Sequence, residues 1–245
     1  MSTLFDATRK PTAEEPRWRV PITPMGLAEI LLYGGGLTLI AVGLATRWPG
    51  AAVPPALLAG FVVWFFRDPH RAIPAEKGFL VSPADGMVTH VEELSEAGVW
   101  EGPAVKISIY LSLFSVHLNR VPERARVVEV RYLPGRHRKT RDPRSAEINE
   151  QCRTLWEGLD PPYLRFLVKQ VAGPLVSSIV CGVGPGAVLP RGARFGMIKF
   201  GSRTELYLPR HPGLSLTVRP GDQVRAGTSI VARFSVRWPR AGLCR

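Results

Sequence analysis

The sequence predicts a mainly β protein of the α+β type, a β-sandwich or barrel-like domain preceded by a hydrophobic N-terminal helical hairpin. Three observations predict it. Apolar residues run almost without interruption from Met25 to Thr46, close to the ~20 residues that cross a bilayer core. Beyond Arg71 the pattern changes to short alternating runs such as Val105-Lys106-Ile107-Ser108-Ile109-Tyr110-Leu111, which is the period of a strand with two unlike faces. The 24 glycines and 23 prolines among 245 residues exclude a helical bundle while leaving enough chain for one sizeable core.

Residues 1–20 mix charge with proline and hold no apolar stretch of signal-peptide type, so they read as a polar tail that stays attached. Residues 21–70 form the hairpin. Its first arm tolerates Glu29 near one end, Arg47-Trp48-Pro49-Gly50 breaks it, and Ala51 to Phe66 makes a second apolar arm that contains Pro54 and Pro55 and is short for a full span. Two arrangements satisfy this pattern: a hairpin that crosses the membrane twice, or one inserted part way into a single leaflet. Arg9, Lys10, Arg17 and Arg19 precede the hairpin and Arg67 and Arg71 follow it, against Arg47 alone in the turn, so the positive-inside bias puts the remainder of the chain on the cytoplasmic face of the cell membrane.

Residues 71–245 carry the strands. The polar stretch from Gly135 to Leu159, with Arg136, Arg138, Lys139, Arg141 and Arg144, reads as a long loop with at most a short helix. The end of the chain, Val218 to Phe234, reads as strand, Pro-Gly-Asp turn, strand, Ala-Gly turn and strand. It is similar to half of a biotinyl/lipoyl-type hammerhead, with Asp85-Gly86-Met87-Val88-Thr89 as the matching half and no carrier lysine in the turn.

The formal charge of +12 predicts attraction to a polyanion. An anionic membrane fits the apolar N-terminus, whereas no nucleic-acid signature accompanies the arginines. Cys152, Cys181 and Cys244 are odd in number and hold no Cys-x-x-Cys pair, so neither a disulfide framework nor a metal site is expected.

The chemistry points to Gly201-Ser202. A serine Oγ can attack the carbonyl carbon before it when a glycine leaves that carbon open, turning an amide into an ester. Elimination and hydrolysis then leave a pyruvoyl group at the new N-terminus. Such a group supplies the electron sink that decarboxylation of an α-amino acid requires, and no pyridoxal phosphate site is visible in its place. His117, in Ser115-Val116-His117-Leu118-Asn119-Arg120-Val121-Pro122, stands in the strongest histidine context of the chain, and a histidine can move a proton near neutral pH. Lys199 and Arg203 flank the Gly-Ser bond and, with Arg120, are candidates for holding a phosphate.

Four ordered stretches, Phe65-Phe66-Arg67-Asp68-Pro69, Ser82-Pro83-Ala84-Asp85-Gly86, the His117 segment and Phe200-Gly201-Ser202-Arg203, together resemble the phosphatidylserine decarboxylase proenzymes, in their short bacterial and archaeal branch. The resemblance implies self-cleavage between 201 and 202, a pyruvoyl group made from Ser202 that forms a Schiff base with phosphatidylserine, and no metal. It also implies large and small subunits that stay together as a heterodimer, with a homodimer of these as a further option. By the same resemblance His117 is the acid/base of decarboxylation and Asp85 belongs to an Asp-His-Ser relay for self-cleavage. The chain departs from the pattern at Arg120, where longer relatives carry the relay histidine, and a guanidinium is no base at neutral pH. Three ways of activating Ser202 therefore stay open: His117 in both steps, Asp85 with another group, or backbone strain. The loop motif of the family is matched only in part, as Asn149-Glu150-Gln151. Two rival functions share the observations: a non-enzymatic membrane-anchored adaptor or lipid-binding module, and a pyruvoyl decarboxylase of a soluble amino acid.

Overall fold

The computed structural model describes residues 22–96, 98, 100–138, 145–173, 179–199 and 202–235. The polar tail, Gly201, most of the basic loop and Cys244 lie outside the described residues.

Helix α1 (Pro24–Ala45) is 22 residues long, enough to cross a bilayer core. Thr23 caps it by accepting a hydrogen bond from the Met25 N–H, and Pro24 fills a first-turn position where a missing N–H costs nothing. The break is shorter than the sequence suggests, because α2 (Pro49–Phe65) opens on Pro49. Pro54 and Pro55 sit inside α2 without ending it, leaving the carbonyls of Gly50 and Ala51, two exposed residues of the first turn, without their intrahelical donors. Both helices turn Leu31, Leu32, Leu39, Val53 and Leu57 outward.

The described residues then contain fourteen strands. They are β1 (Phe79–Val81), β2 (Gly86–Leu94), β3 (Ala104–Leu111), β4 (Leu118–Arg120), β5 (Ala125–Leu133), β6 (Gln151–Gly158), β7 (Arg165–Val171), β8 (Ile179–Cys181), β9 (Val188–Leu189), β10 (Arg194–Ile198), β11 (Ser202–Pro209), β12 (Leu214–Leu216), β13 (Gln223–Val224) and β14 (Ile230–Phe234). A single turn of helix, α3 (Ser145–Ile148), precedes β6.

Eight strands form one antiparallel sheet in the order β13-β2-β3-β11-β7-β6-β5-β9. Two three-stranded sheets, β1-β14-β12 and β4-β10-β8, supply further strands to its inner face. The alternation in β3 sends Val105, Ile107, Ile109 and Leu111 inward to meet Leu206 and Leu208 of β11, Phe166 and Val168 of β7, and Phe195 of β10. Trp156 anchors the far end, its ring stacked on Phe166 at 6.2 Å and edge-on to Phe195 at 5.3 Å. Each such fully buried side chain contributes about 1.5–3 kcal/mol.

One expectation is corrected. The stretch read as a loop to Leu159 contains strand β6, paired along its length with β5 and β7. Neither face reads as purely polar or apolar: Gln151, Arg153 and Glu157 share the outer face with Leu155, which packs with Leu167 and Tyr207, while Thr154 shares the inner face with Trp156, which carries the inward signal almost alone. The C-terminal segment behaves as its turns suggest: β13 pairs with Gly86 and Met87 of β2, and β14 lies between β1 and β12.

Candidate active site

Ser202 opens β11, opposite Leu111 at the end of β3, and is fully buried. Its Oγ has no hydrogen-bond partner among the described residues. A buried hydroxyl left without a partner costs about 1–3 kcal/mol.

His117 lies just before β4, its carbonyl accepting a hydrogen bond of 3.1 Å from the Ile198 N–H in the segment that leads to Ser202. Its ring packs against the Phe65 ring at 4.4 Å, between Val116 and Leu118. This apolar wall explains its acidity: burial lowers the pKa to about 4, the Ser115 backbone opposes the shift, and the charge of Arg67 adds to it. The imidazole is therefore neutral at pH 7. Neither ring nitrogen has a hydrogen-bond partner among the described residues, leaving a lone pair available to a proton.

Asp85 sits at the turn into β2, where Gly86 has φ 153° and a Cβ would overlap the Tyr110 carbonyl oxygen. Only glycine allows β2 to start so close to β3. Met87 and Arg203 flank Tyr110 from opposite sides, so Asp85 and Ser202 lie at the same end of the sheet, two strand spacings or roughly 10 Å apart. The carboxylate is engaged elsewhere: Oδ2 pairs with Arg71 at 2.6 Å and Oδ1 accepts the Ala226 N–H at 2.7 Å.

What ties the three segments together is Asn119, a residue the sequence reading passed over. Its Nδ2 donates to Thr204 Oγ1 at 2.9 Å and to the Pro83 carbonyl at 3.3 Å, and its Oδ1 accepts from Gln170 Nε2 at 2.9 Å. Two residues earlier on each of the two segments joined by the first bond stand His117 and Ser202. The two-residue spacing puts Ser202 and Thr204 on one face of β11.

Residues 58–232 match the family model described as phosphatidylserine decarboxylase. The chain belongs to the phosphatidylserine decarboxylase family. It is similar to the phosphatidylserine decarboxylase proenzyme of Rhodopirellula baltica, 39% identical over 91% of this chain and 93% of the relative. The proenzymes of Carboxydothermus hydrogenoformans (41% identical, 81% of this chain and 91% of the relative) and Symbiobacterium thermophilum (45%, 82% and 92%) are similar too.

In this member of the phosphatidylserine decarboxylase family the Phe65–Pro69 motif is divided among separate tasks. Phe65 walls His117, and Phe66 packs so tightly on Gly26 that a Cβ there would overlap its ring. Asp68 is buried between Arg120 and Arg194, with Arg120 Nη2 at 2.9 Å from Oδ1. Arg120 also donates to the Gly192 carbonyl at 2.8 Å, so its guanidinium braces the motif. Arg203 leaves β11 on the face opposite Ser202, its Nη1 at 3.6 Å from Glu205, beside Lys169 and Tyr207. Lys199 is buried beside Ser202 in sequence and pairs with Glu29 of α1.

Asn149 closes the neck of the basic loop, bonding the Arg138 backbone in both directions at 2.9 and 2.8 Å, and Glu150 holds His137 at 2.9 Å. Cys152 and Cys181 are free thiols on facing strands, with Thr154 beside Cys181. Among the described residues no group of three or more His, Cys, Asp or Glu is placed to hold a metal ion.

Proposed function

We propose that the chain is made as a proenzyme, cuts its own Gly201–Ser202 bond, and decarboxylates phosphatidylserine to phosphatidylethanolamine at the cytoplasmic face of a membrane. The observation that carries this reading is Ser202, buried at the head of β11 with an unpartnered hydroxyl and joined through Thr204 and Asn119 to the His117 segment. The shared name of the relatives gives the substrate.

Of the three ways to activate Ser202, the surroundings favour His117. It is neutral and has a free lone pair, whereas Asp85 is held by Arg71 and Ala226. His117 takes the Oγ proton as Oγ bonds to the Gly201 carbonyl carbon, and returns it to the departing Ser202 nitrogen as the C–N bond breaks. Loss of the Ser202 α-proton with cleavage of its Cβ–Oγ bond then frees the Gly201 carboxylate and leaves a dehydroalanine, whose imine tautomer takes up water and loses ammonia to give a pyruvoyl group. Ser202 fits that group, since its own atoms become it in a pocket without competing hydrogen bonds. The group supplies a carbonyl into which the electrons of the departing carboxylate can flow. His117 then delivers a proton to the substrate α-carbon. A phosphate and a carboxylate arriving beside it favour its cationic form, reversing the effect of burial.

Among the phosphate candidates, Lys199 has the best surroundings, because Arg120 is committed to Asp68 and Arg203 faces away from Ser202. Exchange of Glu29 for a lipid phosphate would leave Lys199 at the junction of α1 and the catalytic domain. The hairpin inserts in the bilayer, with α1 long enough to span it and α2 shorter. The β13–β2 pairing and the β14 turn support a hammerhead-type element used as architecture. The two products of cleavage remain one heterodimer.

Purified wild type should run as a fragment of residues 1–201 and a smaller one whose N-terminus is blocked to sequencing, and should release carbon dioxide from phosphatidylserine vesicles. Ser202→Ala should stay one chain and be inactive. An intact wild-type chain in a fully active preparation overturns the reading, and activity on free serine with none on lipid reassigns the substrate.

A further inference from the structure

The loop that carries His117 ends in a tip the proposed chemistry does not use. Leu113 and Phe114 are 37% and 70% exposed, although the loop is internally braced: Ser112 N–H donates to Ser115 Oγ at 3.2 Å and Ser115 N–H to the Ser112 carbonyl at 3.0 Å. The tip is also fastened to the end of α2. Arg67 Nη2 donates to the Phe114 carbonyl at 2.6 Å and Nη1 to the Trp64 carbonyl at 3.1 Å, while its guanidinium lies 3.7 Å over the Trp64 ring. The Phe114 ring meets Trp64 edge-on at 6.2 Å. A cation that spends its hydrogen bonds on holding two apolar side chains in the open makes a surface, and water is a poor partner for it.

We propose that Leu113, Phe114, Trp64 and Arg67 form one interfacial foot that seats at the boundary of headgroups and acyl chains of an anionic bilayer and sets the height of His117 above it. The occupant follows from continuity, because the patch extends the outward apolar face of α2 through Val63, and α2 is the partner arm of a helix long enough to span. Aromatic rings with one polar edge suit that depth, and Arg67 lies where lipid phosphates are densest. The charge of +12 favours an anionic leaflet. The inference rests on the lipid substrate proposed above. With the foot seated, the loop holds His117, buried behind Phe65 and three residues along the chain from Phe114, close under the headgroup layer.

The test reads depth directly. Full-length Phe114→Trp is reconstituted in vesicles of phosphatidylcholine and phosphatidylglycerol, and its added emission is measured against the parent chain. We expect a blue shift, quenching by phosphatidylcholine brominated at the upper acyl carbons, and protection from aqueous iodide. Added emission quenched by iodide and untouched by brominated lipid overturns the proposal. As a second arm, Leu113→Ser with Phe114→Ser should raise the apparent KM for phosphatidylserine vesicles about five- to tenfold, the loss of one aromatic and one aliphatic contact with lipid, and an unchanged KM also overturns it. If the wild type decarboxylates no lipid, the substrate reading fails while the quenching result still decides the foot.

Discussion

Burial acts on His117 and Glu123 in opposite senses, because the charged form of one carries the proton and the charged form of the other lacks it. For His117, lowered to about 4, the base form persists across the neutral range. If it is the base of self-cleavage, the rate at which fragments appear on a denaturing gel should be flat from about pH 6 to 8 and fall as the pH approaches 4. Glu123, packed under Gly158 with its pKa raised to about 8, is protonated in the folded chain and ionised in the unfolded one at pH 7. The folded state then binds the extra proton, so its contribution to stability is complete below pH 4.5 and declines up to about pH 8. Glu123→Gln should therefore raise the midpoint of thermal unfolding at pH 7 and flatten its dependence on pH over that window, where the wild type loses up to about 1.4 kcal/mol per unit.

At the scale of elements, the hairpin and the β domain share one core. Phe65, Phe66, Val116, Leu118 and Met197 pack together, with Met25, Ile30, Phe61 and Val62 against them. Phe65→Ala should cost about 3–5 kcal/mol of stability and, by letting water reach the imidazole, move the His117 titration upward toward 6.5, readable by NMR. A truncation after Phe66 would remove the wall of the candidate site along with the anchor. The alternation of β3 was plain in the sequence because one face is apolar and the other polar. Strand β6 was not, and neither was the role of Arg120, because its partners Asp68 and Gly192 are remote in the chain and only the fold brings them together. The candidates Ser202 and His117 come from local motifs. Asn119 was not legible, since nothing local announces a side chain that must satisfy Pro83, Thr204 and Gln170 at once.

For the whole molecule, the decisive feature is strand order. β11 lies in the middle of the eight-stranded sheet, bonded to β3 on one side and β7 on the other, and β14 lies between β1 and β12. Cleavage before Ser202 would leave the two fragments interleaved in the eight-stranded sheet and in the β1-β14-β12 sheet, with β4-β10-β8 whole on the large one, so they should co-elute by gel filtration in mild detergent and part only at the denaturant concentration that unfolds the shared sheets. Fragments that separate without unfolding would contradict this strand order. The central position of β11 also gives the molecule a direction in time. An uncut chain can thread its middle strand while the ends are still tethered, at the entropy cost of closing one loop; two separated pieces must meet in solution and insert a strand between neighbours already able to pair with each other. Folding would then be a single-use instruction, erased by the event that makes the catalyst, and a unit that came apart would be replaced by new synthesis rather than repaired.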